Sequence, residues 1–251
     1  MKFTDLDKRM RVFETAHDHC VIPGVYMVAR IDGRSFTRLT REVHHFKAPF
    51  DEVFRDHMIE TTKHLMDCGF RTLYGYTQSD EISILFHRDV DAFGRKLRKF
   101  DSILAGEASA RFSLLLKAHA AFDSRICQLP DECRVVDYFR WRSEDAHRNA
   151  LNGHCYWFLR EHGLSAQAAT RQLEGLSIAA KNDLLFVQAG INFNDLPAWQ
   201  RRGVGVIWED YEKPSSDPRD GSPVAANRRR LHVEVDLPMK DAYEDFIRSL
   251  F

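Results

Sequence analysis

Cysteine is scarce in this chain: five in 251 residues, an odd number. Cys20, Cys68, Cys127, Cys133 and Cys155 show neither CxxC nor zinc-ribbon spacing, which excludes a disulfide framework. No apolar run is long enough to cross a bilayer. The opening MKFTDLDKRMRVFE is too charged for a signal peptide. A reducing, cytoplasmic setting with no membrane partner is therefore expected. An excess of one charge is missing too: 36 Lys and Arg against 37 Asp and Glu leave a net charge of −1, so any nucleic-acid contact must come from local basic patches. No internal repeat is evident. What is present, 44% hydrophobic and 29% charged residues, suits an ordinary globular core that needs no staples.

The apolar, β-branched run Val25–Ile31 reads as a buried strand ending at Asp32-Gly33. Phe50, Val53, Phe54, Met58 and Leu65 then fall at helical spacing, with Pro49 suited to the first turn. Arg71–Thr77 and Glu81–His87 read as two strands around Gln78-Ser79-Asp80. A second helix carries Phe100, Ile103, Leu104, Ala108, Phe112, Leu115 and Leu116 on one broad face, and Ser124–Leu129 reads as a further strand. The order β-α-β-β-α-β is that of ferredoxin-like sheets. Beyond residue 135 the spacing predicts helices from about Asp137 to His162, Ser165 to Leu173 and Ser177 to Val187, with Gly163 and Gly175 ending two of them. Two late strands, Gly203–Trp208 and Leu231–Asp236, flank Lys213–Asn227, whose Pro, Ser, Asp and Gly predict a mobile loop. A short helix, Lys240–Leu250, closes the chain. The expected class is α+β: a palm-like βαββαβ core over residues 1–135, and a helical and β-hairpin extension over 136–251 packed on it as one continuous domain.

In a βαββαβ sheet the first strand and the following hairpin are neighbours, so Asp32 and Asp80 can converge at one edge. Two such carboxylates beside phosphate oxygens form a hard-oxygen site suited to Mg²⁺, and a pair of ions roughly 3.5–4 Å apart can serve phosphoryl transfer. Gly33 has no side chain to keep the backbone from metal or phosphate. Either motif alone reads first as a plain turn; the joint placement is what points to chemistry. Arg95, Lys96, Arg98 and Lys99 open the second helix, where an anion such as a triphosphate would be held, unless they form a solvated basic face. His147 shares a helical stripe with Leu151, His154 and Phe158, as a core histidine or as a contact to phosphate. His17-Asp18-His19-Cys20 has no matching second cluster for zinc, and Gly203-x-Gly205 is no dinucleotide fingerprint. Arg201-Arg202 and Arg228-Arg229-Arg230 read as solvated, or as a nucleic-acid patch if one surface carries both.

Six ordered words then make a family resemblance: Arg30-Ile31-Asp32-Gly33-Arg34-Ser35-Phe36, Lys47-Ala48-Pro49-Phe50-Asp51, Gln78-Ser79-Asp80-Glu81-Ile82-Ser83, Phe122-Asp123-Ser124-Arg125, Asp137-Tyr138-Phe139-Arg140-Trp141-Arg142 and Lys181-Asn182-Asp183-Leu184-Leu185-Phe186. The chain resembles the tRNA(His) guanylyltransferase family, whose members add nucleotides in the 3′-to-5′ direction. The resemblance implies a polymerase palm with added helices, a homotetramer, and two Mg²⁺ ions on Asp32, the Gly33 carbonyl and Asp80. It implies that Asp32, Gly33, Arg34, Ser35, Phe36 and Thr37, with Ser79 and Asp80, line the nucleotide, and that Arg95 with Lys96 or Lys99 holds a triphosphate. It also implies tRNA and GTP, ATP or other nucleotides as partners, the 5′ end being activated before a 3′-hydroxyl attacks it. His147-Arg148-Asn149-Ala150-Leu151-Asn152-Gly153 departs from the eukaryotic His-Ile-Asn-Asn-Leu-Tyr-Asn and resembles the bacterial and archaeal guanylyltransferase-like branch, which extends tRNA on a template and repairs 5′ ends.

The expectation is thus a tRNA 5′-end nucleotidyltransferase, acting in template-dependent repair or in addition of a guanosine to histidine tRNA. Glu81 would support the metal carboxylates and His147 would position the activated 5′ end. The alternatives are a palm-type nucleotidyl cyclase and an inactive RNA-binding homologue.

Overall fold

A computed structural model describes residues 2–216 and 223–251. In chain order the helices are α1 (Phe3–Glu14), α2 (Phe36–Arg38), α3 (Glu52–Asp67), α4 (Leu97–Leu116), α5 (Glu132–Glu161), α6 (Ala166–Leu173), α7 (Ile178–Ala189), α8 (Ala198–Arg202) and α9 (Asp241–Arg248). The strands are β1 (Tyr26–Gly33), β2 (Thr72–Gln78), β3 (Glu81–Phe86), β4 (Phe122–Leu129), β5 (Val204–Ser216) and β6 (Pro223–Glu234). They form a six-stranded sheet in the order β4-β1-β3-β2-β5-β6, and every pairing is antiparallel. The palm core expected from the sequence is present, and the late hairpin prolongs the same sheet from the edge of β2.

Side chains alternate across a strand, and both faces of β1 are covered, which is why its sequence is a nearly unbroken apolar run. Met27, Ala29 and Ile31 enter the core formed with α3 and α4. Tyr26 and Val28 face the other way, into a core closed by Val135, Tyr138 and Phe139 of α5 and by Tyr243 and Ile247 of α9. Continuing that alternation, Arg30 and Asp32 emerge on the α5 side.

The 30 residues of α5 span about 45 Å at 1.5 Å per residue. Its first turns cover the sheet; its second half leaves the sheet and builds a separate core with α6 and α7 through Ala150, Leu151, Cys155 and Leu159. The helix begins five residues before the sequence expectation because Asp131 caps it, accepting a hydrogen bond from the Arg134 amide at 2.9 Å. At α3 the cap is Asp51, not Pro49: Asp51 accepts from the Phe54 amide at 3.0 Å and from the Lys47 amide at 2.9 Å, leaving Pro49 outside the helix.

The largest departure concerns Lys213–Asn227, expected as a loop. β5 and β6 remain in register from Gly205↔Glu234 as far as Ser216↔Pro223, and only residues 217–222 of that stretch lie outside the described residues. Just four residues of β5 pair with β2, Val204 to Ile207. Beyond them a two-stranded ribbon is freed from burying an apolar face, so polar turn-like residues can occupy strand positions there.

Replacing Asp51 with Ala removes both hydrogen bonds at the start of α3. It is expected to cost about 1 kcal/mol, read as a lower urea midpoint with an unchanged slope; an unchanged midpoint would show that water substitutes for the cap.

Candidate active site

The hairpin tip is docked onto the end of β1. Ser79 takes a left-handed conformation at φ 53°, and the carbonyl of Asp80 accepts a hydrogen bond from the Gly33 amide at 2.9 Å. Packing by itself requires glycine at position 33: a Cβ there would sit 2.5 Å from the ring of Phe36. The same register sets Asp32 opposite Glu81 on β3 and opposite Asp123 on β4, while one step back Arg30 lies between Ser83 and Arg125. A row of acids thus borders a row containing two arginines on the α5 face.

Arg30 binds Asp32 Oδ1 through Nε at 3.1 Å and Glu81 Oε1 through a terminal nitrogen at 2.5 Å. Arg125 donates to Asp32 Oδ2. Arg142, buried on α5, lies 3.9 Å from Glu81 and pairs with Asp145 at 2.5 Å. Burial pushes the Glu81 carboxyl above the usual range, with Arg30 and Arg142 pulling it back. Burial also raises Asp80, and the Asp32 charge adds to the rise. Asp80 has no cationic partner among the described residues; its one side-chain hydrogen bond is from Ser79 Oγ at 3.1 Å. A half-buried carboxylate with no ion-pair partner among the described residues, beside a second carboxylate and the backbone of Gly33, suits a hard divalent cation. Among the described residues no group of three or more His, Cys, Asp or Glu side chains stands ready around an ion, so oxygens from the backbone or from a bound phosphate would complete the shell.

Beside the tip opens a cavity of about 590 Å³, bordered by Phe36, Thr37, Ser79 and Asp80 and walled by Phe50, Phe54, Trp157 and Trp199. After α2 the backbone makes one π-helical turn, Leu39–Val43, a device common at functional sites. Arg41 then ties down the rim: it donates to the carbonyls of Phe46, Lys47 and Pro49 at 3.1–3.2 Å and stacks over Trp157 at 4.9 Å. A smaller cavity of about 300 Å³ lies on the other side of Ser79 and Asp80, against Arg142, Asp145 and Asn149 of α5.

Of the residues expected at the nucleotide, Phe36, Thr37, Ser79 and Asp80 border the larger cavity. The Phe36 ring is 2% exposed and packs on Phe112 and Phe122, so it forms the floor of the cavity rather than a free stacking face. Arg34 and Ser35 form the turn leaving β1, the Arg34 amide bonding the Ala121 carbonyl at 2.8 Å.

The basic residues expected at a triphosphate are not brought to the carboxylates. α4 follows β3, and β3 runs away from the hairpin tip, so α4 must begin at the opposite end of β1. The Arg95 guanidinium there is consumed by the carbonyls of Val21, Val25, Arg88 and Val90. Lys96 pairs with Asp18 at 2.7 Å, as does Arg98, and together they hold the Asp18 carboxyl far below its usual range. Lys99 stands over Phe93 at 5.7 Å. That end is about 20 Å from Asp32, six strand steps along β1.

His147 is likewise placed apart. Its ring packs edge-on against Phe193 at 5.1 Å and borders a different cavity with Arg148, Asn152 and Lys181. Burial first, then Arg201 and Arg202, lower its pKa, which favours the neutral imidazole. The α5 side chains that do face the carboxylates are Arg142, Asp145 and Asn149. Nor do the two arginine groups share a patch: Arg201 is buried and bonds the Leu196 carbonyl at 2.8 Å, whereas Arg229 and Arg230 stack on Trp208 and Tyr211 along the ribbon. Arg30, Arg125 and Arg142 are the functional-site residues that motif reading alone did not single out. Alternation along β4 from Asp123 carries the signal for Arg125.

Gly33→Ala drives a methyl group into the Phe36 ring and is expected to cost about 1–3 kcal/mol, seen as a lowered urea midpoint; a wild-type midpoint would mean that the ring moves aside freely.

Residues 7–130 match the family model described as tRNAHis guanylyltransferase, and residues 133–245 match the Thg1 C terminal domain. The probable tRNA(His) guanylyltransferase of Drosophila melanogaster is 35% identical over 199 residues, covering 76% of this chain and 69% of that one. The human counterpart is 30% identical over 247 residues, covering 90% and 82%. A solved bacterial tRNA(His) guanylyltransferase (Thg1)-like protein in complex with GTP superposes with a TM-score of 0.74 at 27% identity, over 98% of both chains. The Saccharomyces cerevisiae tRNA(His) guanylyltransferase gives 0.73 at 27% identity, over 82% of this chain and 93% of that one. On its own residues and on these likenesses, the chain belongs to the tRNA(His) guanylyltransferase family of tRNA 5′-end nucleotidyltransferases.

Proposed function

We propose that this protein extends or repairs the 5′ end of tRNA in the 3′-to-5′ direction on a template, at a centre built on Asp32 and Asp80. The observation that carries this reading is Asp80: a half-buried carboxylate with no ion-pair partner among the described residues, bonded by its backbone to Gly33 beside Asp32, at the mouth of a nucleotide-sized cavity. Asp32, Asp80 and the Gly33 carbonyl would hold two Mg²⁺ ions. Bound there, the ions neutralise phosphate oxygens and make an attacking hydroxyl more acidic.

The remaining work falls to the chain. Arg30 fixes Asp32 and Glu81 in one orientation. Glu81 adds negative charge next to the metal carboxylates, held by Arg30 on one oxygen and with Arg142 near the other. The aromatic walls of the larger cavity exclude water around a base, and Lys47 at its rim is exposed and without a carboxylate partner among the described residues. Bacterial Thg1-like proteins have been solved with GTP and with ATP; this cavity would receive such a nucleotide. A homotetrameric assembly and a cytoplasmic setting complete the reading.

The test is extension of a 5′-truncated, 5′-monophosphorylated tRNA with ATP, all four nucleotides and Mg²⁺. Wild type restores the missing paired nucleotide; Asp32→Ala and Asp80→Ala are expected to lose at least about 10²–10³-fold in rate. Lack of extension by wild type, or a cyclic nucleotide as product, overturns the reading.

The raised pKa of Asp80 has two consequences. Metal affinity and extension should fall as pH drops, beginning above the ordinary carboxylate range, because protonation removes the ligand charge. For stability the sign is opposite: an acid with a folded-state pKa above its unfolded value destabilises the fold once both states are ionised. Without metal, Asp80→Asn is therefore expected to raise the urea midpoint at pH 7, the gain vanishing as pH falls below the carboxylate range. A midpoint at or below that of wild type at pH 7 contradicts it.

A further inference from the structure

Both oxygens of Asp32 are occupied by guanidinium groups, and the two arginines are held very differently. Arg30 is 18% exposed, reaches Oδ1, and is also anchored to Glu81. Arg125 is 59% exposed, stands on the edge strand β4, and has Asp32 as its one ion-pair partner among the described residues. The register places Arg125 directly opposite Arg30, so these like charges are tolerable together only while Asp32 lies between them. Once the negative charge of Asp32 is taken by a divalent cation, Arg125 faces Arg30 and the cation without an ion-pair partner among the described residues, with only the more distant Asp123 on its own strand to attract it. Its exposure leaves it free to rotate outward, at the lip of the site.

We propose that Arg125 is an exchangeable counter-ion: it closes Oδ2 of Asp32 until a divalent cation displaces it, and when displaced it grips a substrate phosphate. This rests on the reading of Asp32 as a metal ligand. An exposed guanidinium on a carboxylate is a weak competitor for a divalent ion, yet it offsets the charge of Asp32 beforehand. The released fork of donors matches phosphate oxygens bidentately. Metal would therefore bind first and phosphate second, and Arg125 would act as a positioning residue on the substrate.

The experiment measures Mn²⁺ affinity by electron paramagnetic resonance and phosphate-ligand affinity by calorimetry, for wild type, Arg125→Gln, Asp32→Asn and the double variant. Without nucleotide, Arg125→Gln should bind Mn²⁺ about two- to fivefold more tightly, the range over which an exposed ion pair competes. With Mn²⁺ present, Arg125→Gln should weaken either GTP or 5′-monophosphorylated tRNA by on the order of tenfold, and the affected arm identifies the source of the phosphate. Without metal the same substitution should change neither. Asp32→Asn, which frees Arg125, should bind that ligand more tightly than wild type without metal, and the double variant should lose the gain. Unchanged or weaker Mn²⁺ affinity in Arg125→Gln, or an equal loss of phosphate binding with and without metal, overturns the proposal. Mn²⁺ binding that survives Asp32→Asn undiminished strikes instead at the metal-ligand reading beneath it.

Discussion

The site depends on one backbone hydrogen bond, from the Gly33 amide to the Asp80 carbonyl. It fastens the tip of one hairpin to the end of the neighbouring strand, and so brings together three carboxylates that Coulomb repulsion would otherwise separate. Everything nearby can be read as a response to that repulsion. Asp32 and Glu81 are held by Arg30, with Arg125 and Arg142 supplying charge at the two outer sides. Asp80 forms no ion pair among the described residues, and desolvation still raises its pKa against the more distant Arg30. The strand ladder sets Asp32 directly opposite Glu81 and Asp123, so the chain cannot relax by spreading the acids along the sheet.

Much of this was legible in the sequence, and for a physical reason. A strand covered on both faces must be continuously apolar, which marks β1 and fixes its end at Asp32; a hairpin of two such strands marks Asp80. The βαββαβ order then makes the two ends neighbours. Asp51 and Asp131 were missed as caps because the apolar period announces where a helix packs, not where its amides first need partners. Residues 213–216 and 223–227 were read as loop because composition reflects burial, and an unsupported ribbon has none to enforce.

The site residues divide the same way. The basic cluster from Arg95 to Lys99 looked like an anion site because its local charge was weighed without asking which end of the sheet α4 starts from. The direction of β3 answers that, and the cations found carbonyls and Asp18 instead. His147 lies on the expected stripe with Leu151 and Phe158, and its ring rests on Phe193, apart from the carboxylates. Arg30 and Arg125 could be placed only once the register between β1 and β4 was known.

The outer margin of the sheet has a consequence of its own. β6 is a terminal strand, and its outward amides and carbonyls could recruit a strand from another molecule. Arg228, Arg229 and Arg230 occupy that margin, opposite Tyr211, Asp210 and Glu209. Bulky cations along a border strand make stacking of sheet upon sheet unfavourable, since each added strand would bring its own arginines alongside. A border so furnished disfavours the edge-to-edge addition of an identical strand, whether or not any nucleic acid is present.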